Sequence, residues 1–250
     1  MQSNTLFPLS KIIAHRGASA LAPENTLAAF RKASEIGAKW VEFDVMLAGC
    51  GEVVVIHDET LDRTTNGKGL VSDYPYHYLA TLDAGSWFNP KFSSEKIPTL
   101  AEVIHALRQY RLAANIEIKP AVGKEEETVA RVLAVIHACW QFDMPAPLIS
   151  SFSEQVLRCV RHHSKTHFLA YLMDEWHEDW QKKCDEFNCI SVDVNHAILN
   201  EARVKEMQKT KRFVLSYTVD NPQLAEQLLT WGVNAVFSNC PAKMQSFLSK

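Results

Sequence analysis

Eight short apolar segments, centred near residues 12, 42, 115, 149, 170, 191, 215 and 236, read as β-strands, and each is followed by a stretch of helical character. No other feature restricts the fold as much. Apolar strands alternating with helices imply a parallel sheet, because the crossover helices cover its faces. Eight such units in 250 residues fit a closed (β/α)8 TIM barrel, an α/β fold. A doubly wound open sheet would bind a nucleotide through a glycine-rich turn after its first strand. His15-Arg16-Gly17-Ala18 has no G-x-G-x-x-G pattern.

The alternation is interrupted once. Glu52-Val-Val-Val-Ile56 follows a turn bracketed by Gly49 and Gly51, and reads as a hairpin partner of the second strand. Residues 58–98 then read as an insertion with little regular structure, rich in turns and in aromatic residues that form a small satellite core. The whole chain, 1–250, is expected to be one domain with that insertion inside it. Local signals fix several helix ends. Asn25 is the expected N-cap of the first helix, and Gly37 its stop. Thr99-Leu-Ala-Glu102 is a capping box, Ser153 a further cap, and residues 175–187 are expected to be helical.

The second strand, Trp40-Val-Glu-Phe-Asp-Val45, carries an unusual load. Side chains alternate along a strand, so Glu42 and Asp44 share one face and Val41, Phe43 and Val45 the other. Two carboxylates on one strand face repel each other and are costly to bury. A bound cation is the usual remedy, and oxygen donors favour Mg²⁺ or Ca²⁺. The strand Ala113-Ala-Asn-Ile-Glu-Ile-Lys119 repeats the pattern, with Glu117 and Lys119 on one face.

Composition excludes other classes. A net charge of -3 with no long basic run gives no support for nucleic-acid binding. The six cysteines are scattered without a C-x-x-C pair, and read as reduced thiols in a reducing, cytoplasmic compartment. Residues 1–8 lack the basic and apolar regions of a signal peptide, and no apolar run is long enough for stable membrane insertion.

In this fold class, active sites gather at the C-terminal ends of the strands. His15 and Arg16 end the first strand, Glu42 and Asp44 lie toward the end of the second, and His57 ends its hairpin companion. Glu117 and Lys119 end the third strand, and Tyr217 lies near the end of the seventh. A metal on three carboxylates can neutralise developing negative charge. Arginine and lysine suit a phosphate, and two histidines can divide acid and base work. Together these parts describe hydrolysis of a phosphate ester. No G-x-S-x-G is present to support a serine hydrolase.

The order His15-Arg16-Gly17, Pro23-Glu24-Asn25-Thr26, Glu42-Phe43-Asp44, His57-Asp58-Glu59-Thr60-Leu61-Asp62-Arg63-Thr64-Thr65, Ile97-Pro98-Thr99-Leu100 and Glu117-Ile118-Lys119 resembles the glycerophosphodiester phosphodiesterase family. The resemblance is dense over residues 12–119 and thinner beyond. It implies a barrel with an insertion after the second strand, and Mg²⁺ or Ca²⁺ on Glu42, Asp44 and Glu117. It implies His15 and His57 as the acid–base pair, with Arg16 and Lys119 at the phosphate. The implied reaction cleaves a small-molecule glycerophosphodiester to glycerol 3-phosphate and an alcohol such as choline or ethanolamine. In one route the substrate's own glycerol hydroxyl attacks phosphorus before water completes hydrolysis. His15 is expected to protonate the leaving alcohol and His57 to take the proton from the attacking hydroxyl.

Two positions depart from the family pattern. Ser238-Asn239-Cys240-Pro241 stands where many members have Thr-Asp-Tyr-Pro, so Asn239 is left out of the metal site. Tyr217 stands where the family commonly carries tryptophan and is expected to contact substrate. Two other functions compete with this reading. One is a phospholipase D-like enzyme acting on lysolipids, with Trp87, Phe88 and Phe92 as an apolar rim. The other is a non-catalytic phosphate-binding barrel.

Overall fold

The computed structural model describes residues 8–248. The signal-peptide reading rests on residues 1–7, which lie outside the described residues, and on Pro8. The barrel begins with β1 (Ile12–His15), α1 (Leu27–Glu35), β2 (Trp40–Leu47) and β3 (Val53–Val55). Residues 58–98 follow, with two 3-10 turns and one short helix, α2 (Tyr76–Leu79). Alternation resumes with α3 (Leu100–Tyr110), β4 (Ala113–Ile118), α4 (Glu125–Cys139), β5 (Leu148–Ser151) and α5 (Glu154–His163). It ends with β6 (Phe168–Met173), α6 (Trp180–Glu186), β7 (Ser191–Asn195), α7 (Glu201–Gln208), β8 (Phe213–Tyr217), α8 (Pro222–Trp231), β9 (Ala235–Ser238) and α9 (Pro241–Leu248).

The strands pair in parallel in the order β1-β9-β8-β7-β6-β5-β4-β2, and a β1–β2 pairing closes the ring into a (β/α)8 barrel. β3 stands outside the ring, antiparallel to β2, as the hairpin reading expects. Residue parity then sorts the core. Outward residues such as Val41, Phe43, Ile116 and Val192 pack under the helices in one large cluster. Inward residues Ile13, Trp40, Ala113, Leu148, Ala170, Leu215, Ala235 and Phe237 fill the barrel with an apolar plug. Two residues further along the same faces come His15, Glu42 and Asn115, and two further again Asp44 and Glu117. The polar site therefore sits directly on the plug.

Three local expectations change. Thr26, not Asn25, caps α1, its hydroxyl accepting from the Ala29 amide at 3.3 Å. The helix expected over 175–187 starts only at Trp180. Trp176 instead lies under the Arg203 guanidinium, whose Cζ is 4.2 Å from the Trp176 ring centroid. The satellite core is mainly aliphatic: Leu61, Val71, Leu79, Leu82 and Ile97, with Tyr74 and Tyr76 packed against it. Trp87, Phe88 and Phe92 stack edge-to-face on one another. The capping box is formed, Thr99 and Glu102 exchanging side-chain and backbone hydrogen bonds.

Candidate active site

The loop after β1 builds the first part of the site. Arg16 and Gly17 both have left-handed backbones, with φ of 55° and 80°. At Gly17 a Cβ would meet Ala29 Cβ at 2.7 Å, so only glycine lets α1 pack this close. The turn aims the Arg16 amide at Glu42, donating to Oε2 at 3.0 Å. The Arg16 side chain reaches back to Glu24, Nη1 donating to Oε1 at 2.8 Å.

His15, Arg16, Glu42, His57, Glu117, Lys119 and Tyr217 all line one cavity of about 280 Å³ at the C-terminal mouth of the barrel. Asp44 lies just beneath it, 1% exposed. Glu42, Asp44 and Glu117 each offer an oxygen within 4.8 Å of the other two. The cations sit around them, Arg16 Nε 3.7 Å and Lys119 Nζ 3.8 Å from Asp44. His15 Nε2 lies 3.7 Å from Glu42, and His57 Nε2 lies 4.0 Å from Asp44. All eight expected site residues are thus brought together.

The carboxylates are held under strain of charge. Burial, then Asp44 and Glu117, push Glu42 well above the usual glutamate range. Burial and Asp44 push Glu117 the same way. Among the described residues, buried Glu42 Oε1 has no hydrogen-bond partner. An all-oxygen donor set with an unsatisfied acceptor fits a hard divalent cation. Asn25 completes the cluster's support: its Nδ2 donates to Asp44 Oδ2 at 2.9 Å, and its left-handed backbone, φ 58°, turns it inward.

Each imidazole is held at Nδ1. His15 Nδ1 lies 2.7 Å from Asn239 Oδ1. Asn239 Nδ2 donates to Asp220 Oδ2 at 2.8 Å, which forces its oxygen toward His15. His15 therefore carries its proton on Nδ1 and presents a bare Nε2. Burial and the Arg16 charge lower its pKa to about 4. His57 Nδ1 lies 2.6 Å from a carboxylate oxygen of Asp58, which is itself gripped by Arg63. Burial lowers His57, while Asp44 and Asp58 oppose that shift.

Sequence reasoning does not reach the parts that several of these residues play. It leaves Asn239 out of the metal site with a hydrogen bond as its remaining capacity, and it reads Asn25 as a cap. Glu24 and Arg63 lie within quoted motifs, but no local spacing links them across 39 positions. Phe152, 46% exposed, edges against Tyr217 with ring centroids 6.0 Å apart and lines the cavity.

The charged mouth lies at the C-terminal ends of the barrel strands, where enzymes of this architecture carry their active sites. The family model for the glycerophosphoryl diester phosphodiesterase family matches residues 15–243. A glycerophosphodiester phosphodiesterase of Caldanaerobacter subterraneus subsp. tengcongensis is 34% identical over 248 residues, 96% of this chain and 98% of that protein. A putative glycerophosphodiester phosphodiesterase of Bacillus subtilis is 35% identical over 237 residues, covering 92% of this chain and 94% of its own length. An Oleispira antarctica phosphodiesterase, solved in complex with the product sn-glycerol-3-phosphate, superposes with a TM-score of 0.95. It is 38% identical, with 97% of this chain and 98% of that one covered. The chain belongs to the glycerophosphoryl diester phosphodiesterase family. Among the described residues no helix is long and apolar enough to cross a membrane.

Proposed function

We propose that this chain hydrolyses soluble glycerophosphodiesters to glycerol 3-phosphate and an alcohol such as choline or ethanolamine. One observation carries the reading. Arg16 Nε and Glu42 Oε1 are both buried, and neither has a hydrogen-bond partner among the described residues, the nearest carboxylate to Arg16 Nε being Asp44 at 3.7 Å. One is a donor suited to an anion, the other an acceptor suited to a cation, and a metal-associated phosphate diester supplies both. The relative from Oleispira antarctica, with its glycerol 3-phosphate product, supports the same chemistry.

In this reading Glu42, Asp44 and Glu117 hold Mg²⁺ or Ca²⁺. The ion, when bound, withdraws charge from the phosphate oxygens. Arg16 and Lys119 hold the phosphate, and Tyr217 with Phe152 borders the organic part of the substrate. The imidazole partners favour the reverse of the sequence-based role assignment. His15, beside a neutral amide, takes the proton of the attacking glycerol hydroxyl on its bare Nε2. His57, beside a carboxylate, is the better holder of a second proton and gives it to the departing alcohol oxygen. The new P–O bond closes a cyclic phosphate as the old P–O bond breaks. Water then opens the ring with the two roles exchanged. The chain acts as one catalytic domain, 1–250, with 58–98 inserted in it. Its scattered free thiols support a cytoplasmic setting.

The test is turnover by purified protein of glycerophosphocholine, glycerophosphoethanolamine and lysophosphatidylcholine, with chelator and with each metal restored. Release of glycerol 3-phosphate from the soluble diesters, lost in chelator, is the expected outcome. Preference for lysophosphatidylcholine would move the assignment to a lysolipid hydrolase. No turnover of any substrate would leave a phosphate-binding barrel.

A further inference from the structure

Arg63 projects from the insertion and is not among the residues lining the cavity. Its guanidinium lies between two carboxylates. Nε and Nη2 donate to Asp58 at 2.7 and 2.9 Å, and Nη1 and Nη2 donate to Glu24 at 2.8 and 2.7 Å. Each carboxylate in turn holds one active-site group. Asp58 Oδ1 lies 2.6 Å from His57 Nδ1, and Glu24 Oε1 accepts from Arg16 Nη1 at 2.8 Å.

We infer that Arg63 is a positioning residue that sets Arg16 and His57 from one fixed point, through the path Arg16–Glu24–Arg63–Asp58–His57. The inference rests on the hydrolytic reading above. Four donors of one planar group are committed to two acceptors, so the two carboxylates move together or not at all. Without Arg63, Glu24 keeps only Arg16 and Asp58 keeps only His57 as side-chain partners among the described residues. Each pair could then swing. Lysine cannot replace it, because a compact ammonium lacks the fork that spans both carboxylates. Burial opposes ionisation of Glu24, yet the Arg63 hydrogen bond and the Arg16 charge bring its pKa to about 2, so Glu24 stays charged at neutral pH. The insertion thereby aligns the phosphate grip and the proton donor as one unit.

Steady-state kinetics on glycerophosphocholine with Mg²⁺ test this. Asp58→Asn is expected to lower kcat with little change in KM, and Glu24→Gln to raise KM. Arg63→Ala is expected to do both, lowering kcat/KM about 10²-fold, the scale of an ångström of misplacement. Free guanidinium ion should restore part of that loss, and Arg63→Lys should not restore it. In the Glu24→Gln/Asp58→Asn background, Arg63→Ala should change kcat/KM by less than about twofold. A full effect in that background, or a single Arg63→Ala variant within twofold of wild type, overturns the inference. So does a loss of activity that only follows the unfolded fraction by circular dichroism. Should Arg63→Ala fail to unfold cooperatively, Arg63→Lys carries the same comparisons. If the wild-type protein turns over no diester, the functional reading fails, and His57 itself then decides the inference. Long-range ¹H–¹⁵N spectra should show one His57 tautomer, protonated at Nδ1, in wild type and a mixture in Arg63→Ala. An unchanged tautomer overturns the inference.

Discussion

His15 Nδ1 and Asn239 Oδ1 lie 2.7 Å apart although 224 positions separate them in sequence. The contact closes the barrel functionally where β1 meets β9. Asp220 fixes it, accepting from the Asn239 amide N–H, the Asn239 side chain and the Ser238 hydroxyl at 2.8, 2.8 and 2.9 Å. A neutral amide thus partners His15 at Nδ1, and it settles which nitrogen of His15 faces the cavity.

Asn239→Ala should free the ring, lowering kcat about 10²-fold with a smaller change in KM. Asn239→Asp should be worse for the fold. It replaces the donor facing Asp220 with a second carboxylate and is expected to cost about 1–3 kcal/mol of stability. Chemical denaturation of the two variants checks the order. Equal stability of Asn239→Asp and wild type would contradict it.

Asn25 links backbone shape to the metal cluster, and two substitutions separate these roles. Asn25→Gly keeps the left-handed backbone and removes the amide from Asp44. A cation-binding titration should show metal affinity lowered roughly 10–100-fold. Asn25→Ala should lose the same affinity and also cost about 1–2 kcal/mol for its backbone. Affinity unchanged in Asn25→Gly would mean that Asp44 needs no orienting partner.

The repulsion within the acid cluster gives a pH signature in chelator. Glu42 and Glu117 are raised in the folded state, above the ordinary value of 4.5. The native state then holds protons that the unfolded chain has released, so their contribution to stability falls as pH rises above about 4.5. Glu117→Gln removes that penalty. Its Tm minus that of wild type should grow from pH 4.5 upward in EDTA, and should shrink or reverse in saturating Mg²⁺. A difference independent of pH in EDTA would refute the repulsion.

Much of the fold was legible because buried parallel strands are continuous apolar runs, and eight of them leave little choice of architecture. Parity along β2 and β4 also placed Glu42, Asp44 and Glu117 together. Local signals misled where two roles look alike. Asn25 precedes an apolar stripe as a cap would, yet its amide serves Asp44 while Thr26 caps the helix. Contacts such as His15–Asn239 and Glu24–Arg63 leave no local pattern, since only barrel closure and the folding of the insertion bring them together.

Arg16→Lys keeps the charge and loses the fork that reaches Glu24 with Nη1 while holding Nε toward the acid cluster. A loss of about 10²-fold in kcat/KM is expected, with an unchanged circular dichroism spectrum. Wild-type kinetics in this variant would make Arg16 purely structural.

The division of labour between the two imidazoles is open to one direct comparison. Glycerophosphocholine has a poor leaving group that must receive a proton, whereas a glycerol nitrophenyl phosphodiester releases nitrophenolate without one. Loss of a general acid costs about 10²–10⁴-fold. His57→Ala should show that loss with glycerophosphocholine and largely recover with the nitrophenyl diester, while His15→Ala should be impaired on both. Recovery of His15→Ala instead, with His57→Ala impaired on both substrates, would contradict the assignment of His57 as the proton donor and return that role to His15.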